Sequence, residues 1–136
     1  MTEPKLDTWK FFDVTHKYHE ILNPMSATKI DELIELFDLD PKAEVLDIAC
    51  GKGEILTRIA ERYTISGVGV DISPFFVADA KQKIRQRVPN SRIEILNMDG
   101  VDYKPDRLFD LSMCIGASWV YKGHQETLRA CGAPLL

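Results

Sequence analysis

The sequence predicts an α/β fold, in which helices flank a parallel sheet, and three observations lead to that prediction. From residue 44 onward, short apolar runs alternate with segments of helical periodicity, which is the pattern of a parallel sheet wound with helices. A glycine-rich turn follows the first apolar run, at the position where turns of such folds bind ligands. The 136 residues are 45% hydrophobic and 28% charged, sufficient for one domain with its own core.

The charge balance and the apolar content exclude several classes of protein. Lys and Arg number 17 against 21 Asp and Glu, a formal net charge of −4, which argues against a nucleic-acid partner because phosphate binding needs a basic surface. No apolar run reaches the roughly 18 residues that span a bilayer, so we expect a cytoplasmic protein with no membrane partner. Three widely spaced cysteines, Cys50, Cys114 and Cys131, predict free thiols. No metal-ligand spacing occurs, and no metal is expected.

The N-terminal part of the chain divides into an aromatic segment and a helix. Residues 1–25 are expected to pack on the rest of the domain, because exposed aromatic surface is unfavourable. Their aromatic and imidazole side chains are Trp9, Phe11, Phe12, Tyr18, His16 and His19. A helix is predicted after Ser26, its N-cap residue, and before Pro41. Its apolar stripe, at i, i+3, i+4 and i+7, consists of Ile30, Leu33, Ile34 and Phe37.

Four apolar runs beyond residue 43 are predicted strands, over residues 44–49, 65–70, 92–96 and 109–115. A helix is predicted after Gly53, and another begins with Ser73 as N-cap and Pro74 at its first position. The basic side chains of this second helix are Lys81, Lys83, Arg85 and Arg87. We expect them to form a solvated helix face rather than a binding patch.

The turn after the first strand has the composition of a ligand-binding loop. In the segment VLDIACGKGE at residues 45–54, a buried strand runs through small residues into a helix, so backbone N–H groups face the crevice beyond the strand. The next acidic residue at a strand end is Asp71, and 71 − 51 gives 20 residues from Gly51. That separation suits a carboxylate that accepts hydrogen bonds from ribose hydroxyls, so an adenosine-bearing ligand is indicated.

Three kinds of loop compete for this segment. A P-loop needs GxxxxGK[ST], which the residues around Gly51 do not provide. A dinucleotide fingerprint, GxGxxG, would place its third glycine at Leu56, which disfavours a pyrophosphate-binding turn and leaves it open. The frame present is Asp47-x-Ala49-x-Gly51-x-Gly53, with an acidic residue inside the strand end.

These segments, in this order, resemble the motifs of class I S-adenosylmethionine-dependent methyltransferases. Residues 45–54 resemble the first motif, GVGVDIS at 67–73 the second, NMDG at 97–100 the third and FDLSMCIG at 109–116 the fourth. The resemblance covers roughly residues 26–125 and implies a Rossmann-like sheet. The family's sheet has seven strands, ordered 3-2-1-4-5-7-6, whereas about four are predicted here. We therefore expect a partial sheet in the order 3-2-1-4 over residues 26–130, without the acceptor-binding half.

The resemblance also implies a cofactor, S-adenosylmethionine, with S-adenosylhomocysteine as product, and a role for each motif residue. Asp47 and the backbone of Ala49, Gly51 and Gly53 would face the methionine part. Asp71 would bind the ribose hydroxyls, and Ile72 would lie against the adenine ring. Asp99 would accept a hydrogen bond from the adenine amino group, and Met98 and Gly100 would shape the surrounding slot. Cys114 would lie near the sulfonium through its backbone. Residues 1–25 would serve as a lid.

The function implied is methyl transfer to a small-molecule acceptor, and the alternative is a truncated, non-catalytic S-adenosylmethionine-binding module. A nicotinamide-dependent oxidoreductase is a distant third. No catalytic residue is assigned, since His16, His19 and His124 each suit a structural or surface role better than that of a general base. The fourth strand, at 109–115, would leave an open apolar edge, and we expect self-association as a homo-oligomer through it.

Overall fold

The computed structural model describes residues 7–132 and has a parallel four-stranded sheet. The strands are β1 (Glu44–Ile48), β2 (Ser66–Asp71), β3 (Arg92–Asn97) and β4 (Leu111–Met113). Their spatial order, β3-β2-β1-β4, confirms the predicted order 3-2-1-4. Leu46 of β1 lies opposite Val68 of β2 and Ser112 of β4. Because the chain crosses from one side of β1 to the other, a crevice opens beyond the carboxyl ends of β1 and β4.

Five α-helices surround this sheet: α1 (Thr8–Thr15), α2 (Ala27–Glu35), α3 (Glu54–Arg62), α4 (Pro74–Arg87) and α5 (His124–Gly132). Both predicted N-caps are confirmed, since Ser26 Oγ accepts from Lys29 N at 3.2 Å and Ser73 Oγ accepts from Phe76 N at 3.3 Å. Short 3-10 turns occupy residues 100–102 and 118–121. The last predicted strand is shorter than expected, because only three of its residues pair with β1.

The core lies on both faces of the sheet, which explains the continuous apolar runs in the strands. Successive residues of β1 point to opposite faces, so Val45 packs with Leu56 and Ile59 of α3, whereas Leu46 and Ile48 pack in a second cluster. The apolar face predicted for α4 is buried, and its members are Phe76, Val77, Ala80 and Ile84. Helices α3 and α4 therefore fix the position of the turn that follows β1.

The basic face of α4 differs from the prediction of a solvated surface. Lys83 and Arg87 both form 2.8 Å ion pairs with Glu54, whose side chain is 4% exposed. Arg58 of α3 adds a third contact with this carboxylate, also at 2.8 Å. The prediction is wrong for Lys83, whose side chain is 12% exposed, because helical periodicity cannot reveal a buried acid on the neighbouring helix. Arg87 is exposed, as predicted, although it also pairs with Glu54. Lys81 is exposed, as predicted.

Three further predictions concern the edge of the sheet, membrane-spanning helices and the cysteines. Among residues 7–132, β4 has a neighbouring strand on one side only, and self-association through this edge stays a prediction. None of the helices in that range has the length and apolar character needed to traverse a bilayer. Cys50, Cys114 and Cys131 carry free thiols, as predicted.

Candidate functional site

A cavity of about 240 Å³ lies beyond the carboxyl ends of β1, β2 and β4. Seven of the ten predicted site residues line it: Asp47, Ala49, Gly51, Asp71, Ile72, Asp99 and Gly100. Within the part of the chain that the structure describes, the other three, Gly53, Met98 and Cys114, lie outside the lining. The motifs, which are far apart in sequence, therefore meet at one crevice because parallel strands end at the same edge of the sheet.

The turn after β1 depends on residues that tolerate a left-handed backbone. Gly51 and Gly53 have φ of +58° and +72°, and a Cβ on Gly51 would lie 2.8 Å from Leu22 Cδ1. Ala49 also has a positive φ, +58°, a conformation that costs a non-glycine residue about 1 to 2 kcal/mol. Gly53 packs against Ala80 of α4 and so supports the turn from behind the cavity.

Asp71, at the end of β2, holds this turn in place. Its Oδ2 accepts from the N–H of Gly51 and its Oδ1 from the N–H of Ser73, both at 2.9 Å. The predicted separation of 20 residues thus corresponds to a direct contact between the carboxylate and the loop. Burial raises the pKa of Asp71, and the two N–H donors oppose that shift. Each carboxylate oxygen has a second lone pair that can accept from a ligand hydroxyl.

Asp47 is the most unusual acid in the cavity. Its side chain is 3% exposed, and burial together with the nearby charge of Asp71 raises its pKa to about 7. Among the described residues no hydrogen bond to the Asp47 carboxylate lowers that pKa. A positively charged group close to such a buried acid would favour its ionised form and lower its pKa.

The far end of the cavity is formed by the segment that follows β3. Asp99 Oδ1 accepts from Val101 N at 3.1 Å, so its Oδ2 is free of that contact. Gly100 is buried, and a Cβ there would lie 2.6 Å from Ile48 Cγ2, which explains why this slot requires glycine. Met98 packs in the apolar cluster behind the slot. Cys114 donates from Sγ to the carbonyl of Ala117 at 3.5 Å.

The N-terminal segment supplies a wall of the cavity that the sequence motifs do not include. Its lining residues are Trp9, Phe12, His16, Glu20, Ile21, Leu22 and Asn23. Lys52, 6% exposed, holds this segment, because its Nζ donates to the carbonyls of His16 and, at 3.3 Å, Lys17. The predicted packing of the aromatic side chains is confirmed only in part, since Trp9 and Phe12 line the cavity whereas Phe11 and Tyr18 are exposed. No sequence pattern distinguishes Leu22 or Asn23.

Reactive side chains near the cavity do not form a nucleophile or a metal centre. Burial raises the pKa of the Cys50 thiol well above its usual range, so this thiol is protonated at neutral pH. His16 lies with its Nδ1 3.0 Å from Nδ1 of His19, and His124, at the start of α5, does not line the cavity. Among the described residues, no group of three potential ligands is placed to hold a metal ion.

A parallel sheet with this strand order and a glycine turn facing an acidic crevice define a Rossmann-like, cofactor-binding protein. Residues 45–133 match the family model described as a methyltransferase domain, and the chain belongs to that family. This finding confirms the predicted class I methyltransferase resemblance, which the sequence supported on four motifs.

Three similar proteins illustrate the relationship. The chain is 29% identical over 126 residues to the uncharacterized protein YjhP of Escherichia coli, covering 90% of this chain and 51% of that protein. A methyltransferase of Geobacter sulfurreducens, solved in complex with S-adenosyl-L-homocysteine, shares 30% identity with a TM-score of 0.86, covering 90% of this chain and 49% of that one. A methyltransferase of Thiobacillus denitrificans, also solved in complex with S-adenosyl-L-homocysteine, shares 30% identity with a TM-score of 0.85. The match covers 97% of this chain and 51% of that one. The chain therefore spans about half the length of each.

These similarities confirm S-adenosylmethionine as the family's cofactor, as the resemblance implied. Both solved relatives are S-adenosylmethionine-dependent methyltransferases in complex with S-adenosyl-L-homocysteine, and each aligns with 90% or more of this chain.

Proposed function

We propose that this chain binds S-adenosylmethionine in the cavity beyond β1 and β4 and takes part in methyl transfer to a small-molecule acceptor. The observation that carries the proposal is the convergence of Asp47, Asp71 and Asp99 with the turn at Gly51 on a single cavity. Two further acids in the lining, Glu20 and Glu54, are already paired with Lys83. The three aspartates suit a ligand with one cationic end and a nucleoside end.

The environments of three cavity residues suit S-adenosylmethionine. Burial and the nearby charge of Asp71 raise the pKa of Asp47 to about 7, and a cationic ligand group beside this carboxylate would stabilise its ionised form. Gly100 lines the cavity and packs closely on the protein behind it, since Ile48 Cγ2 would lie 2.6 Å from a Cβ at that position. Ile72 adds an apolar wall to the cavity, as a flat adenine ring requires.

The roles follow from these environments. Asp47 attracts the positively charged methionine end, and the loop at Ala49 and Gly51 brings backbone within reach of it. Asp71 accepts from the ribose hydroxyls with the lone pairs that Gly51 and Ser73 leave free. Asp99 accepts from the adenine amino group. Gly53, Met98 and Cys114 support these contacts from positions outside the cavity lining.

The chemistry proposed needs alignment more than proton transfer. S-adenosylmethionine supplies an electrophilic methyl group on a positively charged sulfur. The residues of this chain hold that group in line with an incoming acceptor and exclude water from the cavity. The aromatic side chains of Trp9, Phe12 and Trp119, all in the lining, shield the cavity and favour a cationic neighbour.

Calorimetric titration with S-adenosylmethionine, S-adenosyl-L-homocysteine and NAD tests the binding half of the proposal. We expect heat from the first two and none from NAD, because the loop lacks the third glycine of a pyrophosphate turn. Incubation with methyl-labelled cofactor and a panel of small-molecule amines, phenols and carboxylates then tests transfer. Preferential NAD binding would refute the cofactor assignment, and binding without transfer to any acceptor would favour the non-catalytic module.

We further propose that residues 7–25 act as a lid, and Lys52 provides the test. Its Nζ hydrogen-bonds to the carbonyls of His16 and Lys17, so Lys52→Met frees the segment from the cofactor loop. Hydrogen bonds from a charged group contribute about 1.5 to 3 kcal/mol, and we expect the affinity for S-adenosyl-L-homocysteine to fall roughly tenfold. Stopped-flow tryptophan fluorescence is expected to show the loss mainly as faster dissociation.

The control for this experiment is Lys81→Met, because Lys81 is exposed on α4 and does not line the cavity. Its affinity and dissociation rate are expected to match the wild type. A Lys52→Met protein with unaltered dissociation would show that the segment does not close over the ligand.

A further inference from the structure

Two consecutive residues of the N-terminal segment cross the crevice between β1 and β4. Leu22 covers the turn after β1, with its Cδ1 2.8 Å from the place of a Cβ on Gly51. Asn23 covers the turn after β4, with its Cβ 3.1 Å from the place of a Cβ on Gly116. Gly116 has a φ of +70°, so this turn presents bare backbone on which the asparagine packs. The pair therefore sits over the switch point of the sheet, where ligands of this architecture bind.

The amide oxygen of Asn23 is buried and has no hydrogen-bond partner among the described residues. Asn23 also lines the cavity. A buried acceptor without a donor costs about 1 to 3 kcal/mol, and nearly all such groups in native proteins are satisfied. By contrast, the neighbouring cavity acid Glu20 already pairs with Lys83 at 2.8 Å. A hydrogen-bond donor on a ligand would therefore satisfy Asn23 Oδ1.

We propose that Asn23 binds the amino-acid end of the cofactor, with its Oδ1 accepting a hydrogen bond from the α-ammonium group. This inference rests on the proposed function and adds a binding residue that lies outside the four sequence motifs. The positions of Asp71 and Asp99 in the cavity favour the amino-acid end of the cofactor as the partner of Asn23. Asp71 and Asp99 follow β2 and β3, on one side of β1, whereas Asn23 packs on the turn after β4, on the other side.

Asp47 supports the same assignment from the opposite wall. It pairs in register with Met113 of β4, three residues before the glycine that Asn23 covers. The burial of its carboxylate favours a cation nearby. A positively charged donor between Asp47 and Asn23 would satisfy the amide oxygen and also balance the charge of the acid, whereas a ribose hydroxyl or an adenine amino group carries no charge.

Two ligands that differ only in the amino-acid part test the inference. S-adenosyl-L-homocysteine carries the ammonium and carboxylate, whereas 5′-methylthioadenosine keeps the adenine, the ribose and the sulfur without them. Asn23→Leu keeps the branched shape that packs on Gly116 and removes the acceptor. We expect calorimetry on the full chain to show roughly 5- to 100-fold weaker binding of S-adenosyl-L-homocysteine, with 5′-methylthioadenosine affinity unchanged within about twofold.

A third ligand assigns the effect to the ammonium group. An S-adenosyl-L-homocysteine analogue with hydrogen in place of the α-ammonium is expected to bind the wild type and Asn23→Leu equally. Asn23→Asp retains an acceptor and is expected to keep most of the affinity for S-adenosyl-L-homocysteine. Asn90→Leu serves as the matched control, because Asn90 is exposed and does not line the cavity.

The outcomes separate this inference from the proposed function. If wild-type protein binds none of the ligands, the proposed function fails. If wild-type protein binds them and Asn23→Leu weakens S-adenosyl-L-homocysteine and 5′-methylthioadenosine equally, Asn23 only shapes the cavity and the inference is overturned. Unchanged affinity of Asn23→Leu for S-adenosyl-L-homocysteine also overturns it. Binding of 5′-methylthioadenosine by the variant also reports that its fold is intact.

Discussion

Replacing Asp71 with alanine is expected to abolish measurable binding of S-adenosyl-L-homocysteine. The substitution removes the proposed acceptor for the ribose hydroxyls and also the two 2.9 Å contacts that tie Gly51 and Ser73 to the end of β2. Hydrogen bonds to a charged group contribute about 1.5 to 3 kcal/mol each, so the combined loss corresponds to a reduction in affinity of roughly a thousandfold. Isothermal titration calorimetry at pH 7 is the measurement.

Two further variants distinguish ribose binding from loop structure. Asp71→Asn keeps the shape and one carbonyl acceptor but has no charge, and we expect an intermediate loss of about tenfold to a hundredfold. Asp79→Ala, at an exposed position of α4, is expected to bind like the wild type. If Asp71→Ala retained wild-type affinity, the assignment of Asp71 to the ribose would have to be abandoned.

Glu54→Gln is expected to cause the largest loss of stability, about 3 kcal/mol at pH 7. Glu54 is 4% exposed and pairs with Lys83, whose side chain is 12% exposed. Arg87 and Arg58 complete the network, each at 2.8 Å. Removing the carboxylate leaves the largely desolvated Lys83 with only the exposed Glu20 as an ionic partner, and the neutral amide does not replace the lost charge. Urea denaturation followed by circular dichroism gives the change in the free energy of unfolding.

The pH dependence of that loss is the sharper observation. Hydrogen bonds from Arg87, Lys83 and Arg58 oppose the effect of burial and lower the pKa of Glu54 from 4.5 to about 2. The unfolded chain therefore takes up this proton at a higher pH than the folded protein does. The stabilisation is complete above about pH 4.5 and is lost as the pH falls through 2, so the difference between wild type and variant is expected to halve by about pH 3.

The matched control for Glu54 is Glu32→Gln on α2. Glu32 forms a 2.8 Å ion pair with Lys29, but both side chains are more than half exposed. Exposed pairs of this kind contribute at most about 1 kcal/mol, so little change is expected. An equal destabilisation of Glu54→Gln at pH 3 and pH 7 would contradict the ionic origin of the effect.

Much of the candidate site was predictable because it is local in sequence. The motif around Gly51 lies at the end of one strand, and Asp71 lies at the end of the next. Parallel strands joined by helices bring such ends to one edge, so the two meet in a 2.9 Å hydrogen bond. The resemblance to class I methyltransferases implied that Asp99 would face the cavity, and Asp99 lines it.

The sequence predicted side-chain contacts less well where the two residues belong to different helices or strands, because hydrophobic periodicity does not show how separate elements pack. Lys83 and Arg87 have the spacing of a solvated helix face, yet both pair with the buried Glu54. Met98 and Cys114 occupy motif positions, but neither lines the cavity. Motif position specifies the path of the backbone, whereas the direction of each side chain depends on its packing neighbours.

The residue pattern alone accounts for the strands, the helix caps and the glycine turn, because each depends on neighbours within a few residues. The strand order was implied by the resemblance to class I methyltransferases, and the structure confirms it. Tertiary structure decided which groups share the cavity wall. Lys52 reaches the carbonyl of His16 across 36 residues, and Asn23 packs on Gly116, which is 116 − 23 = 93 residues away. Such contacts produce no periodic pattern in the sequence, because they form only when separate elements pack together.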